Sequence, residues 1–269
     1  MFFAGSAAFA AQHGPAADRA GASVIDMTGG LWAGPRARPW IPRLDALISP
    51  PEPSALPDDH YHTWVAPSTP AIVACSLAAA FAEFSPVRLA IVFFQPVSER
   101  GEEAITELEG QTIKLLSFQP IPQQVFDTQV AFNLTARWGA DSRERLSDVR
   151  AAIAGEVQRY LADRISLPAV MLVQAPVFYG HAFAAWAEFQ YPASDETLIT
   201  KLKSAGFKVV PPDEPSPSNL SAAGETQPLI TAPDRDGKVA QGYWFWGAAD
   251  NFRLASVNAT QIAERLLAS

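Results

Sequence analysis

The sequence contains a single cysteine, Cys75, among 269 residues. That excludes an intramolecular disulfide framework and any zinc site built from several thiolates, and it fits a reducing, cytoplasmic setting. Histidine is scarce too, with four in all: His13, His60, His62 and His181. His60 and His62 would share a face only on a strand. Their Pro- and Asp-rich surroundings read as a solvated loop, so no metal is expected. Basic residues number 20 against 28 acidic ones, for a net charge of -8. With no basic run interleaved with aromatics, a nucleic-acid partner is excluded. No apolar run is long enough to cross a bilayer, so no membrane partner is expected. Met1 to Ala11 is apolar, and Ala8-Phe9-Ala10 imitates a cleavage site. No Lys or Arg precedes it, and Gly5-Ser6 interrupts the run, so it does not read as a secretion signal.

What the chain does have is apolar bulk: 48% hydrophobic residues, including 16 Phe and 7 Trp, enough for one large domain or two small ones. Met1 to Ala4 predicts a short buried strand, Ala8 to Ala20 a helix and Ser23 to Asp26 a second strand, the rhythm of a parallel α/β sheet. From Thr28 to about Val65, Gly and Pro are dense enough to predict an extended connection without regular structure. Pro70 to Phe84 is apolar nearly all round and predicts a buried helix, with Thr69 or Ser68 as its cap. Arg88 to Gln95 predicts a strand, Ser98 to Leu108 a charged helix and Val130 to Leu134 a short strand. Ser142 to Arg164 predicts a long amphipathic helix. Further strands are predicted at Val170 to Ala175, Ala182 to Phe189, Phe207 to Val210 and Val239 to Trp246. Asp195 to Ala205 and Asn258 to Leu267 predict helices, and Pro211 to Ala223 a loop. No internal repeat is visible.

Ala175-Pro-Val-Phe-Tyr-Gly-His181 resembles the segment that carries the catalytic histidine of aspartate-semialdehyde dehydrogenases. Four further stretches agree in order. They are Phe3-Ala-Gly-Ser6, Val24-Ile-Asp-Met-Thr28, Val130-Ala-Phe-Asn133, and Asp250-Asn251 with Arg253 followed by Asn258-Ala-Thr-Gln-Ile-Ala-Glu264. The resemblance spans essentially the whole chain. It implies an α/β fold: a truncated Rossmann-type nucleotide domain from residues 1–85 and 249–269, and an α+β mixed-sheet dimerisation domain from 86–248. The family's glycine-rich phosphate loop would precede Met1, and only Gly5 and Ser6 remain as candidate cofactor contacts. NADP is therefore expected only if the family activity is retained.

In that family a cysteine thiolate at a helix start attacks the aldehyde, hydride passes to NADP, and phosphate cleaves the thioester. The matching stretch here is Ala66-Pro67-Ser68-Thr69-Pro70, which puts Thr69 where the cysteine would be. A thiol is partly ionised at neutral pH, but a hydroxyl needs an adjacent base; a helix-capping role is the plainer reading of Thr69. Cys75, about two turns into a buried helix, reads as structural. His181 matches the acid–base residue and Gln95 the glutamine that orients substrate. Gln174 occupies the neighbourhood of the arginine that holds the aspartyl carboxylate, and an amide cannot remake that bidentate pair. Trp32 corresponds to the phosphate-binding arginine, with Arg36 and Arg38 nearby. Glu156 and Arg159 match a helical substrate-binding pair and would otherwise form a surface ion pair. With these losses the chain is most similar to the Usg-type paralogues, which keep the fold without the cysteine. The expectation is a homodimeric, catalytically silent binding or interaction protein, with a small molecule in the remnant pocket left open as a partner. The competing expectation is an NADP-dependent dehydrogenase of amino-acid biosynthesis whose N-terminal segment lies outside this sequence. A hydrolase using His181 and a hydroxyl is a third, but no G-x-S-x-G supports it.

Overall fold

A computed structural model describes residues 1–32, 34, 37–48, 63–162 and 164–268. His60, His62, Arg36 and the proline cluster from Pro50 to Pro53 lie outside them.

The chain opens with β1 (Phe2–Phe3), α1 (Ala7–Arg19) and β2 (Val24–Asp26). The stretch predicted as an unstructured connection instead contains β3 (Ala37–Pro39), a 3-10 turn at Pro42–Leu44 and β4 (Thr63–Val65). β4 inserts between β2 and β3, giving a four-stranded parallel sheet in the order β1-β2-β4-β3. The prolines are tolerated because Pro39 closes its strand and Pro42 opens its turn, positions that need no interior ladder bond. Next come α2 (Thr69–Phe81), whose residues are all buried, and β5 (Pro86–Gln95). The helix predicted from Ser98 begins later: a 3-10 turn spans Val97–Arg100, and α3 runs from Glu102 to Leu116.

The strand predicted at Val130 to Leu134 does not form. Buried Gln111 takes over its backbone instead, its side-chain oxygen accepting from Val130 and Ala131 N–H at 2.8 and 3.0 Å. Only Thr135 pairs with a neighbouring strand, bridging to Gln174. The amphipathic helix, α4, is shorter than predicted, at Leu146–Leu161, and is followed by β6 (Ala169–Gln174), β7 (His181–Phe189), α5 (Asp195–Ser204) and β8 (Lys208–Val210). α6 (Asn219–Ala222) lies in the predicted loop, and the short strands β9 (Leu229–Thr231) and β10 (Asp234–Arg235) went unpredicted. β11 is Gly242–Ala249, and α7 spans Asn251–Ala268, a turn or more earlier than predicted. Asp250 explains the earlier start, since its carboxylate accepts from Phe252 and Arg253 N–H at 3.0 and 2.8 Å.

The second sheet is mixed and seven-stranded, ordered β6-β5-β7-β11-β9-β8, with β10 on β11. Its main core joins α2, α4 and α5 to the inward residues of β5, β7 and β11. Gly247 permits close packing, because a Cβ there would press into the ring of Phe183. α7 crosses back to the small sheet, where Ala259 and Ile262 pack with Ile25, Trp40 and Trp64. Among the described residues no helix is long and apolar enough to cross a membrane.

Candidate functional site

Parallel strands present their C-terminal ends on one edge, where α/β proteins place ligands. From that edge β4 runs through buried Ala66 and Pro67 into α2. Ser68, not Thr69, is the residue preceding the helix, and its side chain does not cap it. The Ser68 amide and hydroxyl instead both donate to Glu156 Oε2, at 2.8 and 2.6 Å. Thr69 is one residue inside, only 3% exposed, and its hydroxyl donates to the Asn251 carbonyl at 2.8 Å. Burial pushes the Glu156 carboxyl up to about 7; the two Ser68 hydrogen bonds oppose this and the charge of Glu99 adds to it.

His181 begins β7 and is buried, its Nε2 3.1 Å from Glu99 Oε1. Its Nδ1 has no hydrogen-bond partner among the described residues. The turn before it needs Gly180, whose φ of 79° lies in the left-handed region. Asn251 organises both sides. Its Oδ1 accepts from Gly180 N–H at 3.0 Å, and its Nδ2 donates to Glu99 Oε1 at 3.0 Å and Ser98 Oγ at 3.2 Å. Burial alone would raise the Glu99 carboxyl. The hydrogen bond and charge of His181, with the Asn251 amide, outweigh that and hold it below its usual range.

Gln95 and Gln174 are register partners at the ends of β5 and β6, and both are buried. The Gln174 amide donates to the carbonyls of Gln95 (3.0 Å) and Ala175 (3.1 Å), and its oxygen faces the Gln95 amide at 3.4 Å. Both glutamines are thus occupied in tying strand ends together. Glu156 and Arg159 do not pair with each other. Arg159 donates to the Trp32 carbonyl and lies 5.2 Å over the Trp32 ring. Arg38 lies on β3.

Thr69, His181 and Glu156 are therefore joined through Asn251, Glu99 and Ser68. From the sequence, Ser68 had only a possible capping role, and Glu99 and Asn251 had none. The one signal for Asn251 was its place in the Asp250-Asn251 motif; Glu99 looked like part of a charged helix.

Gly5 and Ser6 lie at the end of β1, two strands from β4 along the same edge. A dinucleotide's phosphates need free amides at a helix start. At α1 the Ser6 hydroxyl already accepts from Phe9 N–H at 3.1 Å, and the first turn, Ala7 to Ala10, has no polar side chain. The adjoining crevice, about 340 Å³, is lined by residues such as Ala11, Gly14, Leu31 and Ala37, with Asp18 at its rim. These residues do not by themselves fit the phosphates of NADP. Among the described residues no three metal-binding side chains cluster.

The semialdehyde dehydrogenase dimerisation-domain family matches residues 77–254. A USG-1 protein homolog of Pseudomonas aeruginosa is 29% identical over 282 residues, covering 99% of this chain and 78% of that protein. The aspartate-semialdehyde dehydrogenase of Shewanella violacea is 32% identical over 187 residues, covering 68% of this chain and 55% of that one. A solved structure of a probable aspartate-semialdehyde dehydrogenase from Pseudomonas aeruginosa superposes with a TM-score of 0.82 at 28% identity, over 99% of this chain and 78% of that chain. Agreement in sequence and in both sheets makes the chain a member of the aspartate-semialdehyde dehydrogenase family, alongside the USG-1 homologues.

Proposed function

We propose that this protein is a catalytically silent member of its family with respect to aldehyde oxidation, acting as a homodimeric binding or interaction protein. The observation that carries this reading is the hydrogen bond from the Thr69 hydroxyl to the Asn251 carbonyl. An alcohol becomes a nucleophile when a base accepts its proton, and a peptide carbonyl is no base. The base expected from the resemblance, His181, directs Nε2 at Glu99 instead. Even an ester formed on Thr69 would transfer its acyl group to phosphate less readily than a thioester. The two recognition arginines expected from the resemblance are further losses, with Gln174 closed on backbone carbonyls and Trp32 covered by Arg159.

In this reading the small parallel sheet with α7 belongs to the nucleotide domain and the mixed sheet is the dimerisation domain. The outer face of the mixed sheet, with Trp244 and Trp246 partly exposed, would meet a second copy. Light scattering at micromolar concentration tests the dimer, and a monomer removes that part of the proposal. Catalysis is tested by incubating purified protein with aspartate semialdehyde, NADP and phosphate and following NADPH absorbance. The expected rate equals the buffer blank. A rate that disappears in His181→Ala would establish the competing reading, a working dehydrogenase.

A further inference from the structure

Four residues of the α2 segment carry a hydroxyl or thiol: Ser68, Thr69, Cys75 and Ser76, the last fully buried. Cys75 is fully buried, and desolvation pushes its thiol well above the ordinary range. Thr69 is buried on a carbonyl. Ser68 differs on both counts, being half-buried with its hydroxyl 2.6 Å from a carboxylate oxygen. We propose that Ser68 is the nucleophile of a hydrolytic site for short, uncharged carboxylic esters, with Glu156 as its base.

Geometry supports each part. A serine hydroxyl already donating to a carboxylate needs no rearrangement to transfer its proton. The carbonyl oxygen of a substrate bound at Ser68 would meet the start of α2. There the Thr69 and Ala71 amides precede the first intrahelical bond, from Ile72 N–H to the Ser68 carbonyl at 2.9 Å. Pro70 supplies no amide. The partial positive charge at this helix start favours a developing oxyanion beside Ser68. An uncharged ester follows from the surroundings. Glu99 and Glu156 are acidic, the Gln174 amide is closed on backbone, and the Arg159 guanidinium sits on Trp32. Among the described residues the cations that bear on this site are engaged elsewhere, Arg100 with Glu144 and Arg159 with the Trp32 carbonyl, which disfavours a substrate carboxylate.

The chemistry balances with water as the only co-reactant. Ser68 Oγ bonds to the acyl carbon as its proton passes to Glu156. The carbon–oxygen bond to the alcohol then breaks, and Glu156 returns the proton to the departing oxygen. Water repeats the sequence on the acyl-serine, releasing the acid and restoring the Ser68 hydroxyl. Nothing is oxidised or reduced. A carboxyl pushed up to about 7 is a far better base than an ordinary glutamate, so activity should rise as pH passes through neutrality. The ionisable groups that share its surroundings are Glu99 with His181 behind it, Cys75 from α2, and Arg159 and Arg164 on and after α4.

The test uses the full chain and p-nitrophenyl acetate, read at the isosbestic wavelength of the phenol, without NADP, so it is independent of the dehydrogenase assay. The expected result is hydrolysis above the buffer blank, reduced to the blank in Ser68→Ala and by about a hundredfold in Glu156→Gln. A fluorophosphonate should label the wild-type protein on the peptide containing Ser68. That experiment decides the matter without any variant, should Ser68→Ala fail to fold by circular dichroism. Absence of wild-type hydrolysis, full activity in a folded Ser68→Ala, or a label mapped elsewhere would each overturn the proposal.

Discussion

The two sheets differ in how they are held. β5, β7 and β11 are eight to ten residues long and pair in register over most of their length, from Leu89↔Ala187 to Phe94↔Ala182 and from Gly242↔Glu188 to Ala249↔His181. Their inward side chains enter one continuous core with α2, α4 and α5. The strands of the parallel sheet are only two or three residues long, and its residues fall into two small clusters. One of those clusters depends on α7, which also supplies Asn258 Nδ2 to the Trp40 carbonyl at 3.0 Å. Long strands supply their own cross-strand surface, whereas short ones rely on what packs over them. The candidate site lies where the two regimes meet, at α2.

The sharpest way to break this comparison is to remove one large side chain from each region. Phe183 is fully buried, makes tilted ring contacts with Phe93 and Phe207 at centroid separations of 5.9 and 6.5 Å, and covers Gly247. Phe183→Ala should cost about 3–5 kcal/mol in chemical denaturation. Ile262→Ala, in the α7 contact with the small sheet, should cost about 2–4 kcal/mol. Their hydrogen-exchange patterns should differ as well. Ile262→Ala should speed exchange in β1, β2 and β4 while β5 and β7 keep their protection, because the small sheet can open by itself. Equal acceleration in both sheets would mean that the molecule opens only as a unit.

The same contrast governs what could be read in the sequence. β5 and β7 were legible because their own residues are apolar over a strand's length, and α2 because it is apolar on every side behind a proline. β3 and β4 were not, since strands of three residues are masked by the dense Gly and Pro around them. The failure at Val130 had another cause: the Gln111 side chain, from α3, replaced the ladder. At the site, Thr69, Gln95 and His181 could be marked by motif. The pairings that give them their chemistry could not. Ser68 meets Glu156 across 88 residues of chain, and Asn251 meets Glu99 across 152. Only the fold brings these groups together.

The smallest predicted effect tests the joint between the regions through Glu156. Its carboxyl stands at about 7 in the fold against about 4.5 ordinarily, so folding favours the protonated form. That contribution is complete below about pH 4.5 and disappears as pH rises through 7. Glu156→Gln cannot ionise, so its melting temperature relative to wild type should climb between pH 5 and pH 8. Glu99 has the opposite sign: its lowered value gives stability present above the ordinary carboxylate range and lost as pH falls through the folded value. The two carboxylates should therefore separate cleanly, with Glu99→Gln changing the acid limb and Glu156→Gln the neutral one. Both side chains are partly open to water, so screening should limit each change to a few degrees, below the effect of either core truncation. A constant difference between wild type and Glu156→Gln across the neutral range would show that this carboxyl titrates normally. It would also deprive Ser68 of a base strong enough to activate it.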